Sequence, residues 1–184
     1  NFILAFLDAQ QKDAQAWPLL LDLDGNISEP WGSNFFFVSK GSIFTSTSRT
    51  SLEGVTKGTV FELAEELGIS VIEGNFTPYD VYNADEAFTT ATSYEIQPVC
   101  SLDAIKIGDK IPGPITSNLI KSLSKKVGVD IIEQAMSHLN KEERSNIDGW
   151  ILIEMLNFGN KNNFLKIIMY IFFEIKNIDL FAFF

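Results

Sequence analysis

The chain has 184 residues, and a composition that is 46% hydrophobic and 21% charged is typical of one globular domain or slightly more. A formal net charge of -10, with lysines scattered along the chain, argues against a nucleic-acid surface. The single cysteine, Cys100, excludes an internal disulfide and suits the cytoplasm, which is the expected location. With one histidine, His138, and no Cys/His spacing, no metal site is expected.

The first predicted elements are a helix over residues 2–16 and two strand pairs. Asp24-Gly25 lies between two extended runs, a strong signal for a hairpin. Lys40-Gly41 joins the next two strand-like runs in the same way. The helix has a polar Gln/Lys/Asp end, and its apolar positions are Phe2, Leu4, Ala5, Phe6 and Ala9.

A second helix is predicted over residues 56–67, and a glycine ends it. Its apolar residues follow the i, i+3, i+4, i+7 spacing of one buried face. Thr56 or Thr59 is expected to cap the first backbone N–H groups, while Gly54 and Gly58 keep side chains away. Such a start suits a phosphate, but the same residues also suit an ordinary capped helix. The apolar residues are Val60, Leu63, Ala64 and Leu67.

The following elements complete an α plus β pattern without internal repeats. A strand at residues 69–73 precedes a helix that begins at Pro78. Two β-type runs are separated by hydroxyl residues around Thr92 and Ser93, and another amphipathic helix ends near Gly128. The apolar face of this last helix consists of Ile115, Leu119, Ile120 and Leu123.

The C-terminal part has a different composition, rich in Asn, Lys, Ile and Phe. A membrane-spanning helix needs about 20 largely uncharged apolar residues. Residues 164–184 are interrupted by charges, so no span is expected, and a membrane-surface or partner-binding helix is the alternative. Residues 137–184 are therefore interpreted as an appended, non-native tail. The interrupting charges are Lys166, Glu174, Lys176 and Asp179.

Four segments together carry a family resemblance: LDLDGNISEPWGSNFFFV, LEGVTKGTVFELAEELGI, YNADEAFTTATSYEIQPV and IGDKIPGPIT. In order and spacing they resemble the large domain of class IV pyridoxal-phosphate enzymes. That family includes branched-chain and D-amino-acid aminotransferases and aminodeoxychorismate lyase. The resemblance covers residues 1–136 and implies an α+β domain of the D-amino-acid aminotransferase-like fold that binds pyridoxal 5′-phosphate, without the N-terminal small domain.

The resemblance also implies roles for individual residues. Val55 and Thr56, with Thr92 from the later loop, would hold the phosphate of the cofactor. Glu29 matches the carboxylate that faces the pyridine nitrogen and keeps it protonated, so that the ring accepts electrons from the substrate. Thr92 and Ser93 match positions that bind the carboxylate of the substrate.

Other positions match the family less completely. Asn34 is expected to support the loop near the cofactor. Lys57 stands where an arginine is common in the phosphate motif, and Glu53 stands where proline is common. Asp85 and Glu86 match a family motif, and buried hydrogen bonding or surface placement is expected of them rather than catalysis.

The catalytic lysine of the family, which forms the Schiff base, is expected upstream of Asn1, because Lys12, Lys40 and Lys57 do not match its motif position. The chain is thus interpreted as a large domain truncated at its N-terminus. The complete enzyme, expected to be a homodimer, would transfer an amino group between an amino acid, with branched-chain substrates favoured, or an amine and a 2-oxo acid. The alternatives are an aminodeoxychorismate lyase-like reaction and a noncatalytic remnant that binds cofactor or phosphate.

Overall fold

A computed structural model describes residues 2–12, 16–137 and 179–183. The helices are α1 (Phe2–Lys12), α2 (Val55–Glu66), α3 (Pro78–Tyr82), α4 (Pro114–Val127) and α5 (Ile131–Ser137). The strands are β1 (Trp17–Leu21), β2 (Ile27–Pro30), β3 (Asn34–Ser39), β4 (Ser42–Ser46), β5 (Val71–Gly74), β6 (Glu86–Ala91), β7 (Glu95–Val99), β8 (Ser101–Leu102), β9 (Ile105–Lys106) and β10 (Asp179–Phe183). These elements confirm the α+β fold class.

The chain divides into two compact units. One unit comprises Asn1–Ile120 and Asn177–Phe184, and the other comprises Lys121–Lys176. The first unit contains both sheets, in the orders β2-β1-β10-β8-β9 and β5-β4-β3-β6-β7. The cleft described below lies entirely within this first unit.

The first sheet begins with the predicted hairpin, because β1 and β2 pair antiparallel. In the connecting turn, the Asp22 carboxylate accepts hydrogen bonds from the backbone N–H groups of Asp24 (2.9 Å) and Asn26 (2.8 Å). The side-chain amide of Asn26 donates to the same carboxylate. These bonds favour the charged form and lower the pKa of Asp22, with the Asn26 side chain as the largest cause.

The strand β10 is not predicted by the sequence pattern, because its residues belong to the segment interpreted as a tail. It pairs parallel with both β1 and β8, in the middle of the first sheet, and Leu180 is buried. Residues 138–178, which include His138, lie outside the described residues. The interpretation of residues 137–184 as one appended segment therefore stays a prediction. Residues 179–183 of that segment pair with strands of the first sheet.

The second sheet contains the other two predicted strand pairs. The strands β3 and β4 pair antiparallel around Lys40 and Gly41, whose φ angles of 50° and 80° suit a tight hairpin turn. The strands β6 and β7 pair antiparallel around the turn that holds Thr92 and Ser93. The strand β5 joins β4 in parallel at one edge. Both hairpin predictions are confirmed.

One face of the second sheet carries α2. Phe36 of β3 stacks on Phe88 of β6, with ring centroids 4.9 Å apart, and meets the edge of Phe61 of α2 at 6.4 Å. Val60, Leu63 and Ala64 of α2 are fully buried, as predicted. Leu67 is 39% exposed, so its assignment to the buried face is wrong. The reason is that α2 has ended by this residue.

The end of α2 follows the predicted glycine stop. Gly68 has a φ of 69°, a left-handed conformation that favours glycine. The backbone N–H of Gly68 donates to the Glu65 carbonyl (3.0 Å), and that of Ile69 donates to the Ala64 carbonyl (2.8 Å). This pair of hydrogen bonds is a Schellman motif, which satisfies carbonyls that the helix itself leaves without a donor.

The first helix is shorter than predicted. It ends at Lys12, residues 13–15 lie outside the described residues, and Ala16 lies outside the helix. Of its apolar positions, Ala5 and Ala9 are buried, whereas Leu4 is 72% exposed. No helix among the described residues is long and apolar enough to cross a membrane.

The helix α4 begins at a carboxylate that the sequence motif left without a role. Glu86 is buried, and its Oε1 and Oε2 accept hydrogen bonds from the backbone N–H groups of Ile115 (2.9 Å) and Thr116 (2.8 Å). Its neighbour Asp85 is exposed and accepts a hydrogen bond from the backbone N–H of Lys40 (2.8 Å). The helix ends at Val127 before Gly128, as predicted.

Candidate functional site

A cleft of about 300 Å³ lies at the start of α2. Four residues predicted to bind a cofactor line it together, although they come from three separate segments: Glu29, Val55, Thr56 and Thr92. Ser93, predicted to bind a substrate carboxylate, is exposed in the same turn as Thr92 but is not among the lining residues. The other lining residues are Gly32, Ser33, Asn34, Leu52, Glu53, Gly54, Thr90 and Ala91.

Within the part of the chain that the structure describes, the start of α2 has no side-chain cap. Gly54 is the N-cap residue, and the first turn carries no acidic residue. The predicted cap from Thr56 or Thr59 is wrong, because the Thr59 hydroxyl donates instead to the Val55 carbonyl (3.2 Å). The first-turn N–H groups, which have no partner within a helix, therefore remain available at the cleft. Their partial positive charge favours an anion.

Gly54 allows the side chain of Asn34 to approach closely, which any larger residue at position 54 would prevent. A Cβ atom at this position would lie 2.1 Å from Oδ1 of Asn34. At Gly58, by contrast, a Cβ atom would meet nothing within 4 Å. The expectation that both glycines keep side chains away thus holds for Gly54 and is wrong for Gly58.

The Glu29 carboxylate is fixed by two donors on the wall of the cleft. The backbone N–H of Leu52 donates to Oε2 at 2.7 Å, and Nδ2 of Asn34 lies 3.4 Å from the same oxygen. Asn34 also donates to the Leu52 carbonyl at 2.7 Å, so it supports this loop as predicted. Within the described chain both bonds end on Oε2, which leaves Oε1 able to accept from a ligand.

The turn that holds Thr92 is anchored by the residue that follows Ser93. Tyr94 is half-buried, and its hydroxyl donates to Oγ1 of Thr89 (3.3 Å). Burial raises the pKa of Tyr94, so the hydroxyl stays protonated at neutral pH. Thr92 itself is exposed at the opening of the cleft.

Lys57 follows Thr56 directly but points away from the cleft. Its side chain is 1% exposed, and Nζ donates to the Ser46 carbonyl (3.0 Å) and to Oε1 of Glu73 (2.8 Å). The Glu53 carboxylate lies farther away, at 3.9 Å. Lys57 thus ties the first turn of α2 to β4 and β5. Among the described residues, no lysine lines the cleft.

Five lining residues were not singled out by the sequence. They are Gly32, Ser33, Leu52, Thr90 and Ala91. The alternation of side chains along β6 indicates that Thr89 and Thr90 point to opposite faces of the sheet. It does not indicate which face carries the cleft, so the sequence alone could not select Thr90.

The arrangement offers hydrogen-bond donors for an anionic group and a carboxylate acceptor. The start of α2 and the hydroxyls of Thr56 and Thr92 are the donors. The Glu29 carboxylate is an acceptor that a cationic N–H group would match. In the part of the chain that is described, no group of three or more His, Cys, Asp or Glu residues could hold a metal ion.

Comparison with known proteins gives the family. The model of the family described as Amino-transferase class IV matches residues 1–102. The chain therefore belongs to the class IV aminotransferase family, which confirms the resemblance found in the sequence. It is 37% identical over 122 residues to the branched-chain-amino-acid aminotransferase of Pseudomonas aeruginosa, covering 66% of this chain and 39% of that protein.

Solved structures agree with this assignment. The branched-chain amino acid aminotransferase from Escherichia coli has a TM-score of 0.63 and 36% identity, covering 66% of this chain and 41% of that one. A second branched-chain amino acid aminotransferase, solved with pyridoxamine 5′-phosphate, has a TM-score of 0.64 and 35% identity, covering 69% of this chain and 42% of that one. The chain thus spans less than half the length of each of these relatives.

Proposed function

We propose that the cleft binds pyridoxal 5′-phosphate, and that the protein containing this domain transfers amino groups between branched-chain amino acids and 2-oxo acids. The observation that carries the proposal is the meeting of Glu29, Val55, Thr56 and Thr92 in one cleft. The names of the relatives support the reaction and the branched-chain preference. The pyridoxamine 5′-phosphate named with one neighbour supports the cofactor.

The phosphate end would be held by α2 and the Thr92 turn. The backbone N–H groups of Val55 and Thr56 and the two threonine hydroxyls would donate to the phosphate. No acidic side chain of the first turn competes for these donors. Lys57 contributes indirectly, because its bonds to β4 and β5 fix the orientation of the first turn.

The ring end would lie against Glu29. When bound, the cofactor supplies an electron sink for the substrate. Glu29 would strengthen this property, because a carboxylate that accepts from the ring N–H keeps the nitrogen protonated. Leu52 and Asn34 hold Oε2, so the orientation of Oε1 toward the ring is set before any ligand arrives. Ser93, beside Thr92 at the rim, would help to bind the substrate carboxylate through backbone N–H groups.

The proton transfers of the reaction need a base, and in this family that base is a lysine. No described lysine lines the cleft, and Lys57 is committed to Ser46 and Glu73. Amino transfer is therefore proposed for the larger protein, with a lysine contributed from outside the described cleft. The same observation favours a second candidate function, a domain that binds the cofactor without chemistry. A homodimer and a cytoplasmic location stay predictions.

Binding can be tested with pyridoxamine 5′-phosphate, which forms no adduct with surface lysines. We expect the 184-residue chain to bind it, and the double variant Thr56→Ala, Thr92→Ala to bind it far more weakly. Each lost hydrogen bond to the charged phosphate costs about 1.5–3 kcal/mol. Ser48→Ala, an exposed hydroxyl outside the cleft, is the matched control. An unchanged affinity in the double variant would contradict the proposal that the phosphate binds at the start of α2.

Catalysis separates the two candidate functions. We expect the larger protein that contains this domain, loaded with pyridoxamine 5′-phosphate, to convert a branched-chain 2-oxo acid into the amino acid, measured by chromatography. Glu29→Gln should leave binding of inorganic phosphate unchanged but remove most of this conversion, because the neutral amide does not keep the ring nitrogen protonated. Unchanged conversion would contradict the role of Glu29. Binding without conversion in that larger protein would favour the noncatalytic domain.

A further inference from the structure

We propose that the hydroxyl of Thr90 is a further hydrogen-bond donor to the cofactor, an inference that rests on the proposed function. Thr90 lines the cleft, yet it is only 1% exposed and its Oγ1 has no hydrogen-bond partner among the described residues. Buried hydroxyls in native proteins nearly always have a partner. A ligand in the cleft would supply the missing one.

The register of the second sheet gives the direction of this side chain. Thr90 of β6 lies opposite Asn34 of β3, so the two side chains share a face. Phe36 and Phe88, two residues along each strand, share the same face and stack on each other, and Phe36 also contacts Phe61 of α2. Thr90 therefore lies on the sheet face that carries α2.

Along its strand, Thr90 lies near the start of α2. Asn34, the neighbour of Thr90, approaches Gly54, the N-cap residue of α2, so closely that no Cβ atom would fit between them. Thr90 thus lines the cleft beside Asn34, close in sequence to the turn that holds Thr92. A hydroxyl at this place reaches a ligand bound at the helix start.

A missing partner alone does not indicate a ligand. Thr116 is equally buried, at 0% exposure, and its hydroxyl also has no partner among the described residues, but it does not line the cleft. The two threonine hydroxyls thus share burial and the lack of a described partner but differ in access to the cleft. This difference makes Thr116 a matched control for Thr90.

The test replaces each hydroxyl by a methyl group of the same shape in the full chain. Without ligand, neither Thr90→Val nor Thr116→Val should lower the thermal midpoint, because neither change breaks a hydrogen bond. With pyridoxamine 5′-phosphate, Thr90→Val should weaken binding about tenfold, while Thr116→Val leaves it unchanged. Thr90→Ser, which keeps the hydroxyl, should restore most of the affinity. Thr90→Ala, a smaller side chain, should reproduce the loss if the valine variant folds poorly.

The outcomes separate this inference from the proposed function. Wild-type affinity in both Thr90→Val and Thr90→Ala would overturn the role of Thr90 and leave the cofactor site intact. An equal loss in Thr116→Val would also overturn it, because the effect would then not depend on the cleft. A wild-type chain that binds no pyridoxamine 5′-phosphate would overturn the proposed function itself, and the inference with it.

Discussion

The starts of α2 and α4 have the same chemistry but are filled in different ways. At α4 the buried Glu86 carboxylate accepts hydrogen bonds from Ile115 and Thr116. At α2 no side chain of the described residues caps the helix, and the first turn lines the cleft. Both helix starts favour an anion. The difference is that the chain supplies its own carboxylate to α4, whereas at α2 we propose that a ligand supplies the anion.

A glycine lies before each helix and allows the close contact. A Cβ atom at Gly113 would lie 2.2 Å from Glu86, and one at Gly54 would lie 2.1 Å from Asn34. At α4 the side chain that approaches the glycine is the cap itself. At α2 it is the amide that holds Glu29, so the glycine shapes the wall of the cleft and leaves the donors open.

Removing the internal carboxylate should have the largest effect. We expect Glu86→Ala to lower the free energy of unfolding by about 3 kcal/mol, because two buried N–H groups lose a charged acceptor. Urea denaturation measures the change. Glu65→Ala, an exposed carboxylate on α2, is the control and should change stability by less than about 0.5 kcal/mol. Equal effects in the two variants would mean that Glu86 does not stabilise the start of α4.

Filling the space at Gly54 should have a smaller effect on stability and a clear effect on binding. We expect Gly54→Ala to lower the free energy of unfolding by about 1–3 kcal/mol, because Asn34 must move. The same movement releases Glu29 and Leu52, so the affinity for pyridoxamine 5′-phosphate should fall.

The control is a glycine in the same helix that has open space around it. Gly58→Ala should raise the free energy of unfolding by about 0.5–1 kcal/mol, because alanine favours the helix. Urea denaturation and ligand titration of both variants give the comparison. If Gly54→Ala were as harmless as Gly58→Ala, the contact with Asn34 would not shape the site.

The smallest expected effect concerns Tyr82, which belongs to neither helix start. It is the response of protein stability to alkaline pH. The Tyr82 hydroxyl donates to Oδ2 of Asp103 (2.7 Å), and burial, together with this carboxylate, raises the pKa of Tyr82 to about 12. Its contribution to stability is therefore complete below about pH 10 and is lost as the pH rises through about 12.

The variant Tyr82→Phe should reduce the loss of stability above about pH 10, measured by urea denaturation over a pH series. Part of the loss should remain, because burial also raises the pKa of Tyr94. An identical pH dependence in Tyr82→Phe and the wild type would contradict the raised pKa of Tyr82.

Local signals predicted most of the fold. The hairpins at Gly25 and Gly41, the start of α3 at Pro78 and the end of α4 at Gly128 all depend on neighbours in the sequence. The strand β10 could not be predicted in this way, because its pairing with β1 joins distant parts of the chain. Leu67 was misassigned because periodicity does not fix the last residue of a helix.

Only part of the site was predictable, because some of its contacts also join distant parts of the chain. The resemblance selected Glu29, Thr56 and Thr92, and these residues do meet in the cleft. The bond from the Leu52 N–H to Glu29 joins two loops, and neither loop alone contains the information that they meet. The choice of Thr90 over Thr89 depends on which sheet face α2 covers, which is a property of the assembled sheet.

The place of β10 in the first sheet affects how the chain can fold during synthesis. The strands of the second sheet all lie within residues 34–99, so this sheet can assemble while the rest of the chain is being made. The first sheet must wait for residues 179–183, which pair with β1 on one side and β8 on the other. Until then β1 offers unpaired backbone groups to any neighbouring strand. The nascent chain is therefore most exposed to mispairing at β1, which leaves the ribosome before the other described strands.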